Sequence, residues 1–222
     1  SPRLLPWLRP SNMASATTIR LGTRWAAGDT SASIVGKLVH RWFEEVRGWI
    51  EDYKPNKKRL KEIAASSLTQ EEMSHVKVAE WVDRFVRFCE MPSVLKALSA
   101  DRYRAWHQPR MLHLEITNER RLLQVIDGQM LRGVIDRCVL GFDGDRVVRA
   151  EILDFKTDKR PEGMDLCEWV DSRVEHHRPQ LECYRRVLSE QFGLHRRDIH
   201  LTLLLLSEDK EVTLDERSVE RS

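Results

Sequence analysis

Asp154 and Lys156 stand two residues apart at the end of an apolar run, within AEILDFKTDKR (residues 150–160). Side chains of a strand alternate between faces, so these two share one face, with Ala150 and Ile152 behind them. A carboxylate and an ammonium buried together cost free energy unless each has a partner. Two chemistries satisfy that condition: a plain ion pair, or a site in which a charged species lies between the two groups. The pattern D-x-K is a weak signal by itself, since about one chance match is expected in a chain of this length. Two decoys are present, DYK at Asp52–Lys54 and EDK at Glu208–Lys210. The first precedes a proline and has no strand to present it. The second follows a strand, but no acid-bearing strand comes just before that one.

Only Asp154 has a carboxylate on the preceding strand, Asp136 in LRGVIDR. Alternation predicts Val134, Asp136, Cys138 and Leu140 on one face. The turn GFDGD then returns the chain toward Asp154. A hairpin centred near Asp145 sets Asp136 directly opposite Asp154; one centred near Asp143 displaces them but keeps the shared face. Two carboxylates converging on one face repel each other unless a cation lies between them. Mg2+ suits such a place, because it takes oxygen ligands and keeps several waters.

The elements that must position these groups follow from periodicity. Val35, Leu38, Val39, Trp42, Val46 and Trp49 recur at helical spacing, with N-cap choices among Asp29, Thr30, Ser31 and Ser33. KPNKKRLKE reads as a basic connection, a second helix is predicted over about Thr69 to Cys89, and a shorter one opens at PSVLKALSA. After His107 the period becomes alternating. MLHLEIT, RLLQVI, MLRGVIDRCVL and RVVRAEILDF read as consecutive strands of an antiparallel meander, punctuated at Asn118, Asp127-Gly128 and GFDGD. Residues 165–192 return to helix, kinked or divided by Pro179. IHLTLLLL is a buried strand and KEVTL an edge strand. The order predicts an α/β core with a helical front end: a lead-in segment at 1–30, then one domain over 31–222. Within that domain, 31–105 is the helical portion and 110–215 the β-core with its following helix.

The 222 residues carry 37 Lys and Arg against 35 Asp and Glu, a net charge of +2, so any nucleic-acid binding must rest on a local patch. Cys89, Cys138, Cys167 and Cys183 lie far apart without metal spacing, which predicts free thiols and a reduced, cytoplasmic setting. The longest apolar run, Leu201–Leu206, is far short of the ~20 residues that span a bilayer, so no membrane association is expected. The start on Ser suggests a piece of a longer chain.

GVIDR, EILDFKT and RPQLECY, in that order, resemble the PD-(D/E)XK nuclease superfamily, specifically the RecB/AddA-type nuclease domain. That domain closes helicase–nucleases and also occurs in stand-alone exonucleases. GKLVHRWFEEV extends the likeness, because this branch carries a helix-borne histidine upstream of the core, here His40. The matching residues run from His40 to Tyr184, and four weak motifs in one order make a strong signal. The resemblance implies a restriction-endonuclease-like core: a mixed central sheet flanked by helices. It implies metal ligation by His40, Asp136, Asp154 and the backbone carbonyl of Phe155, with Mg2+ the expected ion and Mn2+ also suited to an imidazole. Lys156 would hold or polarise the attacking water. Gln180 and Tyr184, at i and i+4, match the family's Q-x-x-x-Y motif and would position Lys156 or the phosphate backbone.

The expected activity is metal-dependent hydrolysis of DNA phosphodiester bonds, as an exonuclease acting on ends or single strands. No Walker A motif occurs, so a helicase motor would lie elsewhere in a longer chain or in a partner subunit. Two alternatives stand: a module of this fold that binds DNA or a partner without cutting, and a site-specific endonuclease. Some relatives carry an iron–sulfur cluster on one cysteine before the core and three after it. Nothing here follows Cys183, so no cluster is expected.

Other residues divide between structural and functional readings. Glu115 is a second-layer acid or a surface acid, His176 and His177 touch DNA or begin a solvated helix, and Glu151 and Arg137 are structural. The basic runs Lys54–Lys61 and Arg185-Arg186 are solvated faces, and only Lys156–Arg160, beside the site, is expected to meet phosphate. Trp42, Trp49 and Trp81 lie on apolar helix stripes and read as core rather than as a stacking platform.

Overall fold

The computed structural model describes residues 18–21, 30–107, 112–126 and 129–214. The alternating stretches form one mixed six-stranded sheet. β2 (His113–Ile126), β3 (Gln129–Asp143) and β4 (Arg146–Lys156) run antiparallel in sequence. Helix α6 (Leu166–Phe192) then carries the chain across to β5 (Ile199–Leu205), which is parallel to β4, and β6 (Lys210–Thr213) closes that edge. The lead-in segment contributes a strand the periodicity did not show, β1 (Thr18–Leu21), parallel to Met130–Gly133. β2 occupies one edge of β3 along its length, so β1 and β4 share the other edge.

The helices cover both faces, giving the mixed, helix-flanked sheet expected. On one face Val139, Leu153 and Phe155 pack against α1 (Thr30–Phe43), α2 (Lys57–Ser67), α4 (Val78–Glu90) and α5 (Pro92–Leu98). On the other, Cys138, Leu140, Ala150 and Ile152 pack against Trp169, Leu181, Tyr184 and Leu188 of α6. Trp42 is fully buried, and its indole N–H donates to the Leu60 carbonyl at 2.8 Å, tying α1 to α2. Trp49 and Trp81 are partly buried against the same core.

Several elements differ from the periodicity. The basic connection is a helix, α2, because Asn56 caps it by accepting from the N–H groups of Lys58 and Arg59 while Leu60, Ile63 and Ala64 turn inward. The helix predicted from Thr69 is two: α3 (Gln70–Ser74), opened by a Thr69–Glu72 capping box, and α4. Between them Val76 drops into the core. α1 stops at Phe43 rather than running through Trp49. Beyond it the carbonyls of Val46 and Gly48 face the buried Arg137 guanidinium, at 2.8 and 2.6 Å, and a continuing helix would have consumed them. Asn118 does not divide the strand, since β2 continues past it with an irregularity at Glu119, and the Asp127-Gly128 turn lies outside the described residues. Pro179 does not divide α6, which is one helix of 27 residues.

Candidate active site

The β2–β3 ladder pairs Asn118 with Arg137 and Arg120 with Ile135, and skips the pair between them, Glu119 and Asp136. Glu119 has φ 51, in the left-handed region that costs a non-glycine residue about 1–2 kcal/mol. Alternation changes phase at this point on both strands. Before it on β2, the even residues Leu114 and Ile116 pack toward α1; after it, even Leu122 packs toward α6. On β3, odd Leu131 and Ile135 face α6, whereas odd Val139 faces the α1 side. Val134, Cys138 and Leu140 therefore do not share a face as predicted: Val134 is exposed, and the other two lie under α6. The irregularity leaves Asp136 and Glu119 at the seam between the two faces, where both layers can reach them.

From the α1 side comes His40. Phe43, one turn further along α1, stacks on Phe155 with centroids 4.3 Å apart and planes 5° from parallel. Such an aromatic pair adds about 1 kcal/mol beyond area burial. It also fixes the end of α1 over β4. His40 Nε2 then lies 2.9 Å from the Phe155 carbonyl oxygen and Nδ1 lies 3.1 Å from Asp136 Oδ1. The Phe155 N–H donates to the other Asp136 oxygen at 2.8 Å. Burial opposes a charged His40, but Asp136 outweighs it and raises the imidazole's pKa above the usual value. When protonated, His40 donates from both nitrogens and sets a positive charge between the carbonyl and the carboxylate; when neutral, it keeps a lone pair for a cation.

The hairpin register pairs Arg137 with Leu153, and its next step sets Asp136 opposite Asp154, as for a hairpin centred near Asp145. Asp154 and Lys156 are both buried, and Lys156 Nζ is 2.6 Å from Asp154 Oδ2. The ion pair is close but misaligned, and it leaves that buried oxygen without a hydrogen-bond partner. Burial also holds the Asp154 carboxyl above the ordinary carboxylate range, against the pull of Lys156 and with Asp136 adding to the rise. Asp136 goes the other way: burial disfavours its charge, but His40 and then Lys156 outweigh burial and lower its pKa. Lys156 loses by burial and gains more from Asp154, so its ammonium is held charged.

On the α6 side, Gln180 Nε2 donates to the Tyr184 hydroxyl at 2.8 Å. Tyr184 is fully buried; burial pushes its phenol up to about 12, and the negative charges of Asp154 and Asp136 add to that. A cavity of about 560 Å3 opens beside the end of β4, lined by Thr157 and Lys159 together with Val35 and Trp81. Trp81, read as core, also carries the Arg84 guanidinium 4.4 Å over its ring.

One acid at the centre was not anticipated. Glu115 is exposed, and the acid β2 brings to the site is Glu119. One ligand atom each from His40, Glu119 and Asp136 lie within 4.8 Å of one another. Burial, and then the Asp136 charge, push the Glu119 carboxyl up to about 7. Strict alternation placed no acid here, though the turn signal at Asn118 was the trace of the irregularity. Of the structural readings, Glu151 is held by Arg102 and accepts from Thr202 Oγ1 at 2.6 Å. Arg137 is spent on the carbonyls after α1 and on Asn118.

The donor set fits a divalent cation on two counts. One Asp154 oxygen is buried and lacks a hydrogen bond, and His40, Glu119 and Asp136 bring ligand atoms within one ion's reach, a group that does not include Asp154. Among the described residues no helix is long and apolar enough to cross a membrane, and Cys89, Cys138, Cys167 and Cys183 are free.

No curated protein matches the chain. The sequence pattern of the PD-(D/E)XK nuclease superfamily, a family of nucleases that work with divalent metal ions, matches residues 17–222. That span holds the strand-end Asp154 and Lys156, the Asp136 opposite them and the α6 face that covers them, and the chain belongs to the PD-(D/E)XK nuclease superfamily.

Proposed function

We propose that this chain is a metal-dependent DNA exonuclease, the nuclease module of a RecB/AddA-like helicase–nuclease that works beside a helicase motor. The observation that carries the reading is the placement of His40 and Asp136 on the backbone of Phe155, with the buried Asp154–Lys156 pair on either side of that residue in β4. The upstream histidine is the feature that resembles the RecB branch rather than the superfamily at large.

His40, Asp136, Asp154 and the Phe155 carbonyl would hold Mg2+ or Mn2+, with Glu119 close enough to join them. A bound ion supplies Lewis-acid stabilisation of charge on the phosphoryl oxygens and favours hydroxide at neutral pH. The remaining work falls to the chain's own groups. Asp136 orients the imidazole of His40 through Nδ1, and the Phe155 N–H fixes the Asp136 carboxylate. Lys156 presents three N–H donors beside Asp154, suited to holding the attacking water or a phosphate oxygen. The hydrogen-bonded Gln180–Tyr184 pair on α6 would position Lys156 or the phosphate backbone. Substrate would approach along the open cavity at Thr157 and Lys159, where the basic segment after Lys156 can meet phosphates.

The test is digestion of end-labelled linear and closed circular DNA with Mg2+, Mn2+ or EDTA, comparing the parent with Asp154→Ala and Lys156→Ala. The expected result is metal-dependent loss of linear DNA alone, abolished in both variants. Cutting of closed circles would make the chain an endonuclease. DNA binding by a folded, metal-loaded parent that cleaves nothing would make it a binding module.

A further inference from the structure

His177 lies on α6 three residues before Gln180, on the face that carries the buried Leu181 and Tyr184. Its Nε2 is buried and has no hydrogen-bond partner. The ring meets His176 edge-on with centroids 4.7 Å apart, a contact that offers Nε2 nothing. One turn earlier, Arg173 pairs with Asp158 at 3.5 Å, which ties this end of α6 to the segment that follows Lys156. After burial, the charge of Lys156 is the strongest influence on the imidazole, and together they depress its pKa to about 3. His177 is thus a neutral ring with a buried, unpartnered lone pair at the end of α6 that Arg173 ties to the segment after Lys156, and the Lys156 ammonium has two donors to spare beyond Asp154.

We propose that His177 is a positioning residue for Lys156: its Nε2 accepts a hydrogen bond from the Lys156 ammonium when the Asp154 carboxylate is given over to a metal ion. This rests on the reading of Asp154 as a metal ligand. Asp154 Oδ2 cannot serve both cations equally, and the flexible four-carbon stem of lysine lets the ammonium swing to another acceptor. A carboxylate in that role would trap the ammonium. A neutral imidazole, protonated on Nδ1, holds it more weakly and leaves it free to face water or phosphate. The same contact gives the orphaned Nε2 its partner, which a buried polar atom requires.

The test is calorimetric titration of the full chain with Mn2+, which reads the exchange without DNA or catalysis. His177→Leu and His177→Gln are compared in the parent and in Lys156→Ala. With Lys156 present, His177→Leu should weaken Mn2+ binding about tenfold, because the ammonium stays on Asp154. With Lys156 absent, the same substitution should change affinity by less than about twofold. His177→Gln, whose amide oxygen can accept, should stay near the parent in both backgrounds, and melting in EDTA confirms that each variant is folded. An equal loss in both backgrounds, or none in the first, overturns the proposal. Unchanged affinity in Asp154→Asn removes Asp154 from the ligand set and overturns the reading beneath it, independently of any His177 variant.

Discussion

Glu119 and Asp136 face each other across β2 and β3 at the step where the ladder loses its pair and both strands change phase. The chain accepts a left-handed residue and two neighbouring carboxylates here, and neither helps the metal-free fold. Strain retained beside a site points to use. Glu119→Gly should relieve both costs and stabilise the metal-free protein by about 1 kcal/mol. It should also weaken Mn2+ binding about tenfold, by removing one ligand. Chemical denaturation in EDTA and Mn2+ titration check the two halves, and a variant that loses stability while keeping its affinity would contradict both.

Much of this arrangement was readable in the sequence where the cause is local. Asp154 and Lys156 needed only a strand and its period of two, and Asp136 needed only a hairpin. What escaped depends on distant partners. The end of α1 is set by Arg137, some 90 residues on, which takes the Val46 and Gly48 carbonyls. The helical stripe continues to Trp49, so periodicity alone extends the helix. α2 escaped because its Lys and Arg residues look like a solvated run, and only Asn56 with Leu60, Ile63 and Ala64 betrays it. Glu119 escaped because a change of phase is invisible to a rule that assumes strict alternation.

Arg137 is a charge buried for structural reasons, with donors on Val46, Gly48 and Asn118. Arg137→Ala would open a cavity and leave the Gly48 carbonyl without its guanidinium donor. The expected cost is about 3 kcal/mol, read as a lower urea midpoint with an unchanged m-value. Because the guanidinium pins the chain just after α1, His40 should also be held less firmly, and Mn2+ affinity should fall together with stability.

His177 gives the metal-free protein a pH dependence of definite sign. Its pKa in the folded chain, about 3, is depressed by burial and by the Lys156 charge. The unfolded chain takes up this proton near the ordinary histidine value of about 6.5, so between the two values it binds more protons than the native state. Stability from this group is complete above about pH 6.5 and is lost as pH falls toward 3. Other groups titrate in the same window, so the informative quantity is the difference in melting temperature between the parent and His177→Gln. In EDTA that difference should move against the parent as pH falls from 7 to 4.5. A difference independent of pH would mean that the folded protein protonates His177 freely.

Lys156 and a metal ion compete for the same carboxylate, and the competition is measurable without a substrate. In the metal-free fold, Lys156 is the cation that compensates the buried Asp154. Lys156→Met removes it and leaves the carboxylate to be buried alone or protonated, at a cost of about 3 kcal/mol. A bound ion restores positive charge at that oxygen, and ligand binding to the native state raises stability by mass action. The increase in melting temperature on adding Mn2+ should therefore be larger in Lys156→Met than in the parent, while cleavage is lost. Asp154→Asn should show the reverse pattern, a small cost in EDTA and little gain from Mn2+, because an amide neither needs the ammonium nor holds the ion as a carboxylate does. If both variants gain from Mn2+ as much as the parent, the ion binds elsewhere and Lys156–Asp154 is a plain ion pair.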